Sequence, residues 1–368
     1  MNCPAHRLTT GDRPISSATL PRDAGVTRAA FPRPQVPAVS RNVDVARLRE
    51  HFRLMHRIRA FEEEAIAAAK DGRVLGAIHP SIGQEAVAAG VITNLRGDDR
   101  LLSTHRGHGH TLAKGAGPRA MMCELFGRVG GSCGGKGGSM HIADFGVGML
   151  GANGVVSANI TIAAGAAHAI RLHGDDRIVC CLFGDGAINR GPFLEGLNWA
   201  AVFALPVLFV CEDNDWAATT RTRDMTAGPG PVARAESLGI PAVRVDGNDV
   251  AALDEAAREA IARVRSGAGP SFIHAVTFRH TGHTSVDPGA YRPADEVARR
   301  IAEEDPIARC RAALELAGVP AAELDADAAA ERAAMAEDAR FASAEPYPDA
   351  DGAFDDVQDV GSPRVMAF

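Results

Sequence analysis

Two strand ends carry most of the chemical capacity of this sequence. The apolar run Ile178-Val179-Cys180-Cys181-Leu182-Phe183 stops at Gly184-Asp185-Gly186, and the next such run, Val207 to Glu212, stops at Asp213-Asn214. Adjacent parallel strands place their ends about 5 Å apart. A carboxylate from Asp185 and a neutral carbonyl from Asn214 at that separation form a hard, oxygen-rich site suited to Mg²⁺, with positions left for water and phosphate oxygens. Gly184 and Gly186, with Ala187 following, permit a tight turn and let a diphosphate approach backbone N–H groups. A Gly-Asp-Gly tripeptide alone is better explained by a simple turn, because the tripeptide is common. Its pairing with an Asn at the next strand end is the specific signal, and it points to a metal–diphosphate anchor.

The other polar clusters each have a plainer role open to them. Thr104-His105-Arg106-Gly107-His108-Gly109-His110 holds three histidines without a Cys or acidic partner, so loop polarity or substrate-side lining is expected rather than zinc. His79 precedes Pro80 and either caps a loop or lines a reacting centre. Arg279, His280 and His283 share a polar glycine-containing loop, for which a solvated loop is the plain reading. Gly130 to Lys136 approaches a P-loop, but Gly137 stands where Ser or Thr is needed and no strand precedes it. A mobile loop near the site's mouth is expected instead for residues 127–138. Cys133 lacks a defined base, and nothing argues for modification of Thr284 or Ser285.

Elements able to position these residues follow from periodicity. The spacing of Leu48, Phe52, Met55, Ile58, Phe61 and Ala65 predicts a helix over 45–70. Ser81 with Gln84 reads as a capping box opening a helix over 82–95. Strands are expected at 100–103, 178–183, 207–212, 242–245 and 271–277, and helices at 161–173, 191–203, 249–266 and beyond 302. Strands alternating with helices imply an α/β fold with a mostly parallel sheet covered on both faces, whose ligands sit beyond the carboxyl ends of the strands.

Composition bounds the alternatives. Of 368 residues, 46% are hydrophobic and 5% aromatic, with 39 glycines and a net charge of −7, which excludes a basic nucleic-acid surface. No stretch approaches the roughly 18 apolar residues of a membrane span. Seven cysteines without a C-x-x-C argue against disulfides and zinc and favour a reducing cytoplasm. Residues 1–43, with six Pro and six Arg, read as a disordered or extended arm rather than a transit peptide, whose helix the prolines would break. The α/β domain is expected over 44–345, with an irregular tail at 346–368. A dinucleotide-binding oxidoreductase is disfavoured, because no G-x-G-x-x-G follows a first strand.

The Gly-Asp-Gly to Asn stretch resembles the thiamine diphosphate motif. HPSIGQEA (79–86), STHRGHGHTLAKG (103–115), GGKGGSMHIAD (134–144), LGANGVV (150–156) and FRHTGHTSVDPGAYR (278–292) resemble the alpha subunit of the first component of 2-oxo-acid dehydrogenase complexes. The acetoin dehydrogenase type is most similar, followed by pyruvate dehydrogenase. The resemblance implies a thiamine diphosphate-binding fold. It implies Mg²⁺ held by Asp185, Asn214 and the backbone carbonyl of Trp216, and diphosphate held by Arg106 and Arg279, with His105 nearby. It further implies aminopyrimidine contacts from the backbone of Gly154 and Val156, and His79 and His283 at the reacting centre. The activating glutamate would come from a beta subunit in an α₂β₂ heterotetramer, and the product would pass to a lipoamide-bearing acyltransferase component. A branched-chain 2-oxo-acid dehydrogenase subunit and a non-catalytic subunit retaining the fold are the alternatives.

Overall fold

The computed structural model describes residues 44–354; the expected N-terminal arm at 1–43 and the end of the expected tail lie outside them. The first helix, α1 (Val45–Lys70), is capped by Asp44, whose carboxylate accepts the Arg47 N–H at 3.1 Å. Its apolar stripe is buried, with Phe52, Met55, Ile58 and Phe61 fully enclosed. Its opposite face sets Arg49, Arg53 and Arg57 against Glu323, Asp327 and Glu331. Such exposed pairs contribute little each, so the stripe carries the packing.

The expected capping box does not form. Ser81 turns inward and its hydroxyl donates to Glu62 at 2.8 Å. Helix α2 begins only at Glu85, runs to Val87 and widens into a π-helical turn over Ala88–Ile92. Strand β1 (Arg100–Leu102) follows, and then α3 (His108–Ala113), which draws His108, Gly109 and His110 of the expected loop into a helix. Helix α4 spans Pro118–Leu125, and β2 spans Met149–Gly151.

From there the chain alternates as expected. Helix α5 (Ala158–His173) leads to β3 (Val179–Gly184), and α6 (Gly191–Val202) leads to β4 (Val207–Asp213). A short antiparallel hairpin, β5 (Trp216–Ala217) and β6 (Thr220–Arg221), was not anticipated. It precedes α7 (Thr222–Met225), α8 (Pro231–Glu236), β7 (Ala242–Asp246), α9 (Val250–Arg265) and β8 (Ser271–Val276). Three helices close the fold: α10 (Ala294–Glu304), α11 (Pro306–Leu316) and α12 (Ala321–Ala344), with a 3₁₀ turn at Ala350–Phe354.

The main sheet has six strands, all parallel, in the order β2-β1-β3-β4-β8-β7. Val179 to Phe183 and Val207 to Cys211 are wholly buried, as continuous apolar runs in a two-sided parallel sheet must be. Leu182, Leu208 and Val210 pack with residues of α1, α4, α9 and α12, whereas Phe183, Phe209 and Cys211 pack with α5, α6 and α8. The chain therefore leaves β1 toward one face and β3 toward the other. The crevice opened between those two exits is where such sheets bind ligands.

Gly196 of α6 marks a close approach of α5 to α6. A Cβ there would lie 2.8 Å from Ile160 Cγ2 and 3.0 Å from the Ile160 carbonyl oxygen. Gly196→Ala is expected to destabilise the chain by about 1–3 kcal/mol through overpacking, read as a lowered midpoint in chemical denaturation. Among the described residues, no helix is long and apolar enough to cross a membrane.

Candidate functional site

One cavity of about 350 Å³ opens at that crevice. It is lined by every residue that the sequence reading assigned to the cofactor, the metal or the reacting centre: His79, His105, Arg106, Gly154, Val156, Gly184, Asp185, Gly186, Ala187, Asn214, Trp216, Arg279 and His283. The register explains the convergence. Gly184 pairs with Glu212 across β3 and β4, so Asp185 leaves the carboxyl edge level with Asp213, with Asn214 one residue beyond, and Asp185 and Asn214 both line the cavity.

The glycines serve partly for another reason than expected. Gly184 has an ordinary extended backbone (φ −80°), and the nearest atom to a Cβ there would be 4.0 Å away. At Gly186 a Cβ would meet Ala217 Cβ at 2.8 Å. The hairpin, rather than a ligand, requires that glycine. Strain collects around the cavity: Ser157, Asp215 and Ala218 all hold positive φ, at 78°, 69° and 51°. Non-glycine residues adopt that region at a cost that the surroundings must enforce.

Charge is arranged in two unbalanced halves. Asp185 is buried, its described side-chain partner is the Thr222 hydroxyl, and no cationic side chain pairs with it among the described residues. Burial first, and then the Asp213 charge, push its carboxyl up to about 8. Asp213 itself is held low despite its burial, because His274 hydrogen-bonds it at 2.7 Å. Asn214 donates to Gln84 Oε1 at 2.8 Å, while its own Oδ1 accepts the Trp216 N–H at 3.2 Å. A buried carboxylate lacking a counter-charge beside a carbonyl oxygen fits a hard divalent cation.

The other half is cationic. Arg106 and Arg279 are 4% and 1% exposed and form no salt bridge with a carboxylate among the described residues, although Asp185 and Asp287 act on Arg279 at longer range. Arg106 donates to the carbonyls of Pro80 and His283, the latter at 3.2 Å. Arg279 donates to the Tyr291 hydroxyl at 2.8 Å. Burial, and then the Arg279 charge, lower Arg106 to about 9, and burial lowers Arg279 likewise. Two buried guanidiniums without an anion suit a diphosphate.

His79, His105 and His283 close the cavity as a trio, with ring centroids 4.7 to 5.5 Å apart. Burial and then the Arg106 charge depress all three, to about 4, about 2 and about 4. They are neutral near pH 7 and able to accept protons. The unfolded chain takes up protons on imidazole near pH 6.5, whereas in the folded chain His79 and His283 resist them until about pH 4 and His105 until lower still. These groups therefore withdraw stability as pH falls from about 6.5 toward 4. His283→Asn is expected to lose less melting temperature than the parent between pH 7 and pH 5, read by calorimetry on the cofactor-free chain.

The remaining histidines of 104–110 point away from the cavity. His108 bonds Glu62 at 2.8 Å and Ser139 at 2.9 Å, and His110 bonds Ser103 at 2.7 Å and faces Glu212 at 3.2 Å. They are buried core histidines with carboxylate partners distant in sequence. Sequence reading missed Gln84, Thr222 and Glu212. Gln84 lies within a motif already noted, whereas nothing local marks Thr222 as the partner of Asp185. The P-loop reading fails for a physical reason. The N–H groups of Cys133, Gly135, Gly137 and Gly138 all bond the Glu124 carboxylate, which fills the space a phosphate would take. The same bonds replace the expected mobile loop by a tethered one.

Comparison with known proteins identifies relatives over most of the described chain. The sequence pattern of the dehydrogenase E1 component family matches residues 53–351. The alpha subunit of acetoin:2,6-dichlorophenolindophenol oxidoreductase from Cupriavidus necator is 44% identical over 83% of this chain and 92% of its own length. The Bacillus subtilis subunit of the same name is 44% identical over 70% of this chain and 77% of its own length. A pyruvate dehydrogenase E1 component subunit alpha from Rhizobium meliloti is 39% identical over 83% of this chain and 88% of its own length.

Proposed function

The chain belongs to the dehydrogenase E1 component family, and from that premise we propose that it is the alpha subunit of a thiamine diphosphate-dependent oxidoreductase cleaving the C–C bond next to a carbonyl, with acetoin or pyruvate as substrate. One observation carries the reading. A single cavity is lined by a buried carboxyl without a salt-bridge partner and an amide carbonyl, and by two buried guanidiniums without a salt-bridge partner among the described residues. A magnesium diphosphate supplies both missing charges.

Asp185, Asn214 and the Trp216 carbonyl hold Mg²⁺ in this reading, and Arg106 and Arg279 hold the diphosphate. Gly154 and Val156, both on the cavity wall, present backbone atoms to the aminopyrimidine. When bound, the cofactor would supply nucleophilic and electron-sink chemistry next to the substrate carbonyl. The protein positions, excludes water and moves protons. His79 and His283, kept neutral by burial, can accept a proton from a substrate hydroxyl. Family membership supports the rest of the reading: a beta subunit would supply the carboxylate to the aminopyrimidine ring in an α₂β₂ assembly, and the acyl unit would pass to a lipoamide-bearing component.

The test is a substrate panel with an artificial electron acceptor, using this chain reconstituted with its beta subunit. Turnover of acetoin or pyruvate that requires both thiamine diphosphate and Mg²⁺ is expected. Turnover independent of thiamine diphosphate would reject the reading. Preference for branched 2-oxo acids would move the substrate assignment and leave the site assignment standing.

A further inference from the structure

The glycine-rich segment 127–138 is wrapped around one side chain. Glu124, in the last turn of α4, is fully buried. Its Oε2 accepts the N–H groups of Cys133 and Gly135 at 2.8 and 2.9 Å, and its Oε1 accepts those of Gly137 and Gly138 at 2.7 and 3.1 Å. Convergent backbone N–H groups of this kind form anion-binding nests. Here the anion is internal. The glycines serve that approach: a Cβ on Gly131 would lie 2.3 Å from Glu124 Oε2, and one on Gly137 would lie 2.6 Å from the His141 carbonyl.

The tether leads directly into the cavity wall. Ser139 is held by His108, which a second buried carboxylate, Glu62, holds in turn. Met140 lines the cavity. The His141 ring lies 3.6 Å from the place a Cβ on Gly154 would occupy, and the Ile142 carbonyl accepts the Ala152 N–H at 2.8 Å. The backbone at 152–156 therefore rests on a loop whose shape is set by the Glu124 charge.

We propose that Glu124 is a positioning residue for the cofactor cavity, an internal anion that fixes the loop 133–142 and through it the backbone at 152–156. Its effect on cofactor affinity rests on the function proposed above. Its effect on the loop does not. Glu124→Ala empties the nest and leaves four N–H groups that a small carboxylate can satisfy.

The experiment compares the full-length parent chain with Glu124→Ala and Glu124→Gln by amide hydrogen exchange, in sodium formate and in sodium chloride of equal ionic strength. In chloride, exchange in Glu124→Ala is expected to rise about tenfold or more at 133–138 and to rise also at 152–156. Formate should reverse both changes. Glu124→Gln, which keeps the shape but loses the charge, should fall between the two. Affinity for thiamine diphosphate with Mg²⁺ should drop about tenfold in Glu124→Ala and recover in formate. Unchanged exchange in Glu124→Ala, a rise confined to 133–138, or no response to formate would each overturn the proposal. If the alanine variant does not fold, parental exchange in Glu124→Gln at both segments overturns it, and raised exchange at both supports it. A parent that fails to bind thiamine diphosphate removes the proposed function, while the exchange data still decide the role of Glu124.

Discussion

Asp185→Ala is expected to abolish Mg²⁺-dependent binding of thiamine diphosphate, raising Kd by about 100-fold or more. The carboxylate is the one charged metal ligand assigned to this chain, since Asn214 and the Trp216 carbonyl are neutral. Losing a charged ligand removes at least about 3 kcal/mol, which is about two decades in affinity. The fold should survive, because the variant also removes a buried carboxyl that burial pushes to about 8. Its buried partner, the Thr222 hydroxyl, loses one hydrogen bond. Trp216 lines the cavity and provides an intrinsic fluorescence readout. Parental affinity in Asp185→Ala would refute the metal assignment.

The second large effect concerns Arg106. Arg106→Met is expected to weaken cofactor binding by about 100- to 10,000-fold, the equivalent of two charge-assisted hydrogen bonds at about 1.5–3 kcal/mol each. Arg106→Lys should recover part of the loss, because it keeps the charge but cannot present a planar fork to a phosphate. Stability of the cofactor-free chain should respond differently. A guanidinium lowered to about 9 by burial destabilises the empty site, so removing it brings relief. Against that, the carbonyls of Pro80 and His283 lose their donor, at about 1–3 kcal/mol for each buried group left unpaired. The two effects oppose, and the melting temperature should move little while affinity collapses. A variant that loses both in proportion would mean that Arg106 serves the fold rather than the diphosphate.

The contrast between α1 and α2 shows where the sequence could be read and where it could not. Six apolar residues at helical spacing specify α1, because one buried stripe on a long amphipathic helix is a local property. Ser81 and Gln84 match a capping box equally well, yet Ser81 bonds Glu62 and Gln84 bonds Asn214. Both partners lie far along the chain, and burial made those bonds worth more than a local cap. The hairpin Trp216–Ala217 with Thr220–Arg221 escaped for a related reason, since two-residue strands carry no periodic signal.

By itself, the sequence determined the alternation that makes a parallel sheet, and the chemistry placed at the ends of β3 and β4. Those follow from short-range patterns: apolar runs that end in polar turns, and residue types whose charge and shape suit a cation or a phosphate. Tertiary structure decided which histidines face the cavity and which enter the core. His105 went one way, and His108 and His110 the other, because α3 begins at His108 and turns it and His110 toward Glu62 and Glu212. It also decided that the glycine-rich loop closes around Glu124 rather than around a ligand. Both outcomes depend on burying a charge against a partner contributed by another element, and that energy is absent until the chain has folded.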